Sequence, residues 1–476
     1  MPHSMKERRP NVLLITADQL REDCVGFSGK YPVRTPHIDR LSEQGVSFSH
    51  AYSVLPVCAP ARQSLLRGRR PETFGALWNY SGALPVAALP PEAYTWTRAL
   101  AESGYATAYL GKWGVNPVHG PAAYGFDSYV SEAEYHDFIS QKHPDVRYEH
   151  GFFGEESPLP LEDAETHWFA ARASETLERL QGDGRPWHMA LHFSDPHLPC
   201  RPSLPFAGMY AAADIPEWAG FRDTFAGKPY IQRQQLESWG VADYDWQDWA
   251  PIVARYYAII SQLDDAIGQV LGTLERLGMA DNTIVIFTAD HGDMCGSHGM
   301  MDKHYIMYDD VVRVPLIIRM PGVVGDVEVG GRCDRFVYNF LDLPPTLLEL
   351  LNLQTHDPGD LQGRSLVPLL AGEEPADWRD AAVSTYNGQQ FGLYTQRMIR
   401  TADWKYVWNL TDVDELYDMV NDPGELVNVR GKLEHAELLA VLRRRLYEQL
   451  SADGDAIVAN EWTRRQLLQG AKLDGI

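Results

Sequence analysis

Short apolar runs alternate with helix-like stretches over most of the chain, and this alternation constrains the fold more than any other feature. "NVLLIT" (Asn11 to Thr16), "YATAYLG" after Gly104, "WHMALHF" (Trp187 to Phe193), "TIVIFT" (Thr283 to Thr288) and "VPLIIR" (Val314 to Arg319) read as buried strands. Each is short, apolar and bounded by polar residues. Between them the pattern predicts a short helix in "TPHIDRLSEQG", capped by Thr35 and stopped by Gly45, and another over Thr95 to Ser103. It also predicts a long amphipathic helix over Asp163 to Leu180 and one over Ile252 to Leu277, where Val253, Tyr256, Ile260, Leu263 and Ile267 recur at helical spacing. Such alternation implies an α/β fold, a parallel sheet covered by helices on both faces. At 476 residues, 45% hydrophobic and 22% charged, the chain exceeds one small core and has the composition of a globular enzyme.

Past about residue 375 the pattern changes to short strand-like pieces, "AAVSTYN", "TQRMIRT", "WKYVWNL" and "ELYDM", followed by a helix over Ala436 to Leu450. This predicts a catalytic α/β domain over 1–374 and a smaller subdomain over 375–476 built on an antiparallel sheet and a helix. The aromatic stretch from Pro216 to Trp249 and the polar one from Glu132 to Pro160 read as insertions able to wall a pocket.

Ligands on parallel sheets bind beyond the carboxyl ends of the strands. The residues just past each strand are therefore informative: Asp18 and Gln19, then Lys112, then Asp195 and His197, then Asp290 and His291. Asp195 alone reads as an ordinary turn residue; the four loops together read as a site. "CAPARQSLLRG" (58–68) adds a helix with Cys58 at its N-terminus and Arg62 one turn later on the same face, stopped by Gly68. Asp18, Gln19, Asp290 and His291 supply oxygen and nitrogen donors, which suits calcium, magnesium or manganese rather than structural zinc. With Arg62, Lys112 and Lys303 a cation there would clamp a tetrahedral anion.

The net charge of −23 excludes general nucleic-acid binding and attraction to anionic membrane surfaces. Five scattered cysteines form no disulfide framework. The polar, basic start "MPHSMKERRP" leads into an apolar run too short for a signal peptide, and no stretch approaches a membrane span, so the expected location is cytoplasmic.

These motifs together resemble the type I sulfatases of the alkaline-phosphatase superfamily. The likeness rests on Cys58-Ala59-Pro60-Ala61-Arg62 with "QSLLRGRRP", on "NVLLITADQLRED", "GYATAYLGKWG", "SDPHLPCRPS" and "FTADHGDMCGSHGMMDKH", and on the closing "ADWKYVWN…DELYDMVNDPGELVNV". The resemblance implies an alkaline-phosphatase-like sheet and hydrolysis of a sulfate monoester, with sulfated sugars the favoured class. It implies that Cys58 is converted to formylglycine by a formylglycine-generating enzyme and attacks sulfur as a gem-diol. By motif, Asp18, Gln19, Asp290 and His291 would hold one divalent cation, calcium first, together with modified Cys58. Arg62 would orient the diol, Lys112 and Lys303 would bind sulfate oxygens, and His197 would protonate the leaving alcohol. Asn79 in "LWNYSG" and His304 beside Lys303 are candidate substrate contacts.

Three positions depart from the common pattern. Gln19 replaces a second aspartate, and His291 replaces the asparagine of many animal enzymes. Both choices resemble bacterial choline sulfatases and phosphonate monoester hydrolases, so hydrolysis of phosphonate monoesters or phosphate diesters with the same formylglycine and metal is the alternative. Gly114 stands where the family has a histidine that serves diol breakdown, with His119 or His298 as candidate replacements. Trp113 and Trp218 are expected near the leaving-group pocket.

Overall fold

The computed structural model describes residues 9–80, 88–320, 331–356, 358–389, 391–470 and 472. The basic start of the chain up to Arg8, and Ser81 and Gly82 of "LWNYSG", lie outside these.

The main sheet has eight strands: β1 (Asn11–Asp18), β2 (Val46–Tyr52), β3 (Ala106–Gly111), β4 (Ser128–Val130), β5 (Trp187–Pro196), β6 (Thr283–Ala289), β7 (Leu316–Arg319) and β8 (Gly331–Tyr338). Their order is β4-β3-β5-β1-β6-β7-β2-β8. β1, β3, β5 and β6, the strands expected from their apolar runs, are consecutive neighbours and all parallel. Their carboxyl ends therefore share one edge, and Asp18, Lys112, His197 and Asp290 all emerge there. The run Val314 to Arg319 forms β7, but antiparallel to β6 and β2. The segment joining β6 to β7 contains only a one-turn α-helix, Asp309–Val312, in place of a long crossover helix. β2, β4 and β8 escape the apolar-run criterion, because "VSFSHAY" and "GRCDRFVY" alternate polar and apolar residues and "SYV" is too short.

Two groups of helices cover the sheet. Glu165–Asp183 packs along Trp246–Arg276, joined by Pro36–Glu43. Cys58–Arg67 packs with Trp96–Glu102 and Leu343–Leu350. The 31-residue helix Trp246–Arg276 starts earlier than its apolar periodicity suggests, because Asp245 and Asp248 form a capping box and Pro251 is tolerated near the start. No helix among the described residues is long and apolar enough to cross a membrane.

The second sheet, antiparallel in the order β12-β11-β10-β9, consists of β9 (Ala381–Gln389), β10 (Gly392–Thr401), β11 (Trp404–Asn409) and β12 (Glu415–Asp418). The helix Ala436–Asp453 buries Leu439, Leu442, Leu446 and Leu450 against it. Lys405 on β11 is fully buried and pairs at 2.7 Å with both Asp309 and Glu425, tying this sheet to the β6–β7 connection.

Two tryptophans of the aromatic stretch after Pro216 belong to the core. Trp218 is 3% exposed, donates from Nε1 to Cys295 O and lies 4.1 Å from the Arg21 guanidinium; Trp249 is wholly buried. Trp113 is packed on Tyr109 and Tyr124 with its Nε1 on His119 O. In Trp113 and Trp218 the one polar ring atom finds a carbonyl, which lets a large ring fill the core; the Trp249 Nε1 is buried without a partner among the described residues.

At the end of β3 the backbone of Gly111 adopts φ +90°, and a Cβ there would lie 2.0 Å from His192 O. That carbonyl also accepts from Lys112 N at 2.9 Å, so the close approach sets where Lys112 leaves the sheet. Gly111→Ala is expected to destabilise the fold by at least about 2 kcal/mol, through both the left-handed φ and the clash. Urea unfolding monitored by tryptophan fluorescence measures this; an unchanged midpoint would refute it.

Candidate active site

Five loops at the carboxyl edge converge on one buried point. The helix Cys58–Arg67 begins at Cys58 rather than at Pro60, after Val57 in extended conformation, and ends at Gly68 with φ +68°. Its first N–H groups have no partner inside the helix. Ala59 N donates to Asn79 Oδ1 at 2.9 Å, and Asn79 N in turn donates to Gln389 Oε1 at 3.0 Å. Asn79, expected as a substrate contact, thus spends its oxygen completing the start of the nucleophile helix.

Asp18, Cys58, Asp290 and His291 are buried, and each offers one ligand atom within 4.8 Å of the others. Cys58 Sγ lies 3.6 Å from Asp18 Oδ1 and 3.2 Å from His291 Nε2. His291 Nδ1 is 2.9 Å from Gly292 O, which places the ring proton on Nδ1 and leaves the Nε2 lone pair facing the cluster. Two carboxylates and an imidazole lone pair converging in a buried site match the donor set of a divalent cation, so the residues present fit one. The charges tell the same story. Burial and Asp18 push Asp290 above the usual carboxyl range against His291 and Arg62. Burial raises Asp18 as well, but Lys112, His197, Arg62 and His291 together bring it well below. Burial opposes charge on His291, yet Asp290 lifts it to about 9, so a cation bound at Nε2 would take the place of a proton there.

Gln19, expected as a ligand, holds φ +66° and bridges the site. Its N–H donates to Asp290 Oδ1 at 3.1 Å, its Nε2 to Asp293 Oδ2 at 2.8 Å, and its Oε1 accepts from Lys303 Nζ at 2.7 Å. Tyr256 OH, from the long helix, donates to Gln19 O at 2.9 Å and pins this strained residue.

Arg62 is 1% exposed. Its NH2 donates to Asp18 Oδ2 at 3.0 Å and Asp290 Oδ2 at 3.1 Å, and its NH1 to Lys112 O at 2.9 Å. His192, stacked 4.9 Å from Tyr109, accepts from NH1 at 3.2 Å. The guanidinium therefore sits behind the carboxylates and holds them, instead of facing an anion. The sequence signal for His192 is its place at the end of "WHMALHF", where a strand meets the site edge.

Lys112 Nζ is 2.8 Å from Asp18 Oδ2, and its side chain keeps 22% exposure. Lys303 Nζ reaches Gln19 Oε1 and, at 2.9 Å, His197 Nε2. His197 Nδ1 lies 2.7 Å from Leu198 O, so its proton sits on Nδ1 and Nε2 accepts from Lys303. Burial works against charge on both lysines, but Asp18 for Lys112 and the Cys58 thiolate for Lys303 carry each above the ordinary lysine range. Burial and Asp18 raise the Cys58 thiol; Lys303, Lys112 and His291 outweigh them and bring it well below its ordinary value. The point where these groups meet attracts negative charge.

The remaining candidates lie elsewhere. His304 is buried between Tyr386 OH at 3.2 Å and Asp302 at 3.4 Å, and burial lowers it to about 4, so it supports Lys303 from behind. A Cβ on Gly114 would lie 3.0 Å from Arg62 Cδ at φ +61°, which explains why no side chain occupies that position. His119 is exposed, and His298 is stacked 3.9 Å from Tyr308 with Nδ1 2.6 Å from Asp223; neither has a contact that brings it to Cys58. Asp293 and Asp302 carry no signal of their own within the "ADHGDMCGSHGMMDKH" motif, yet they hold Gln19 and flank Lys303.

A buried cluster able to hold a divalent cation, flanked by lysines at the edge of a parallel sheet, is the arrangement of a hydrolase site for an anionic ester, and similarity to known proteins places it in the alkaline-phosphatase superfamily. The family model "Sulfatase" matches residues 10–353, and "N-sulphoglucosamine sulphohydrolase, C-terminal" matches 296–452. The chain belongs to the sulfatase family. It is 30% identical to an ulvan-active sulfatase of Formosa agariphila, over 95% of this chain and 83% of that one. It is 27% identical to an N-acetylglucosamine-6-O-sulfatase of Bacteroides thetaiotaomicron, over 94% and 87%. The phosphonate monoester hydrolase of Agrobacterium radiobacter superposes with TM-score 0.80 at 26% identity, covering 94% of this chain and 96% of that one.

Asp290→Ala removes one carboxylate and one of Arg62's two ion pairs. It is expected to abolish stoichiometric divalent-metal binding while the protein stays folded. Elemental analysis of dialysed protein with circular dichroism checks this; a full equivalent of retained metal would show that other residues bind it.

Proposed function

We propose that this protein hydrolyses sulfate monoesters of carbohydrates, with residue 58 matured from cysteine to formylglycine by a formylglycine-generating enzyme. The observation that carries the reading is the buried cluster of Asp18, Cys58, Asp290 and His291, flanked by the Lys112 and Lys303 ammoniums, at the start of the helix bearing the Cys-x-Pro-x-Arg signature. The names of the ulvan-active and N-acetylglucosamine-6-O-sulfatase relatives support a carbohydrate substrate.

Asp18, Asp290, His291 and residue 58, with Gln19 Oε1 at their edge, would hold one divalent cation, calcium first because oxygen donors dominate. When bound, the cation supplies positive charge beside the nucleophilic hydroxyl of matured residue 58. Lys112 and Lys303 receive the sulfate oxygens, where their charge offsets that developing in the transition state. Arg62 keeps both carboxylates in place and acts as a positioning residue. His197 Nε2 and Lys303 Nζ share a hydrogen bond. Its proton is the one available to the alcohol oxygen as the bond to sulfur breaks.

The second reading is phosphonate monoester hydrolysis, favoured by Gln19, His291 and the Agrobacterium radiobacter neighbour. Comparing kcat/KM for sulfated sugars, aryl sulfates and aryl phosphonates decides between them. Preference for the phosphonate by more than about tenfold, or 1.4 kcal/mol, would overturn the sulfatase reading.

Peptide mass spectrometry of protein coproduced with the maturing enzyme should show formylglycine at position 58; full activity with an intact thiol would refute it. His197→Ala should lower kcat/KM for a sugar sulfate by about 100-fold or more. It should lower that for 4-nitrophenyl sulfate far less, since that anion leaves without a proton. Equal losses on both would assign His197 to positioning alone.

A further inference from the structure

A cavity of about 520 Å³ has Lys112 and His197 in its wall, so it adjoins the reacting groups on the leaving-group side. The polar stretch Glu132 to Pro160 builds much of it, through Tyr135, Ile139, Tyr148 and Leu159. Arg201, four residues beyond His197, lines it too. Its guanidinium lies 3.9 Å from the Tyr148 ring centroid, and Tyr148 OH is fixed at 3.0 Å from Ser157 Oγ.

The Arg201 guanidinium makes no hydrogen bond or ion pair with any described residue, and its Nε is buried without a partner. In a chain with 65 acidic residues against 42 lysines and arginines, an unpaired arginine in a cavity wall is out of keeping. The nearby Glu155 accepts from Glu149 N and His150 N on one oxygen and feels the Arg201 charge at a distance, without forming an ion pair with it. Glu165 and Asp195 also line the cavity, but neither pairs with Arg201. Burial raises both carboxyls, and their proximity raises Asp195 further. Such a pair suits hydroxyl groups better than it neutralises a cation. A guanidinium stacked on a ring and lacking a carboxylate is arranged to receive a planar or tetrahedral oxyanion through paired N–H donors.

Resting on the sulfatase reading, we propose that Arg201 is a specificity residue for a second anionic group on the sugar, a carboxylate or another sulfate, carried beside the ester that is cleaved. The substrate class is then a sulfated sugar with at least two anionic groups.

Binding tests this without turnover. Protein with unconverted Cys58 is titrated calorimetrically with glucose 6-sulfate, glucose 3,6-disulfate and glucuronic acid 2-sulfate. One or both doubly anionic sugars should bind at least about tenfold more tightly than glucose 6-sulfate, and the better of the two identifies the oxyanion. Arg201→Ala should erase that difference, and Arg201→Lys should restore only part of it. In matured protein the same loss should appear in KM for the doubly anionic sugar, with 4-nitrophenyl sulfate hydrolysis within about twofold of the parent. No preference in the parent protein, or equal losses on every substrate, would overturn the proposal and leave Arg201 as packing for Tyr148. If the calorimetric preference holds but matured protein cleaves no sulfate ester, the hydrolase reading fails and the Arg201 site stands.

Discussion

Asp18 and Asp290 face one another with no exposure to solvent, and two carboxylates in that position repel strongly unless something positive stands between them. Arg62 supplies that charge from behind, one nitrogen donating to both. Its other terminal nitrogen is held by Lys112 O and His192 Nδ1, so the guanidinium is braced from β3 and β5 while it braces β1 and β6. The edge of the sheet is thereby fixed at the place where the strands carry their chemistry. The same two carboxylates that strain the fold by their repulsion are what suits the site to a cation.

Gln19 links the two halves of the site. It touches Asp290 and Asp293 on one side and Lys303 on the other, and a neutral amide can donate and accept at once where an aspartate can only accept. Glutamine at this position lowers the negative charge of the cluster, and its Oε1 holds the Lys303 ammonium that also meets His197. The Lys303 ammonium, and through it the His197 ring, are thus positioned by one side chain in a strained backbone conformation.

Much of this is legible in the sequence because the strands that matter are buried on both faces and read as unbroken apolar runs. Once β1, β3, β5 and β6 are recognised as strands, Asp18, Lys112, His197 and Asp290 fall on one edge by topology alone. β2 and β8 are not legible, since polar residues interrupt both runs and the first half of β8 is partly exposed. For Arg62, Asn79 and His304 the structure adds what the sequence does not carry: residue type and motif indicate that a polar group serves the site, but not which neighbouring side chains it holds. Trp218 and Trp249 show the converse, where aromatic content reads as a pocket wall and the core consumes it. Arg201 carries no sequence signal, because its interest lies in the partner it lacks.

The hydrogen bonds from Ala59 N to Asn79 and from Asn79 N to Gln389 join the first turn of the nucleophile helix to the far sheet. Gln389 closes β9, more than three hundred residues downstream of Cys58. A chain emerging from the ribosome therefore carries Cys58 long before that turn can be completed. Throughout that interval residue 58 sits at an unfinished helix end, without Asp290, His291 or Lys303 around it. The contact of β9 with the first loops thus makes the surroundings of Cys58 one of the last parts of the molecule that synthesis can complete.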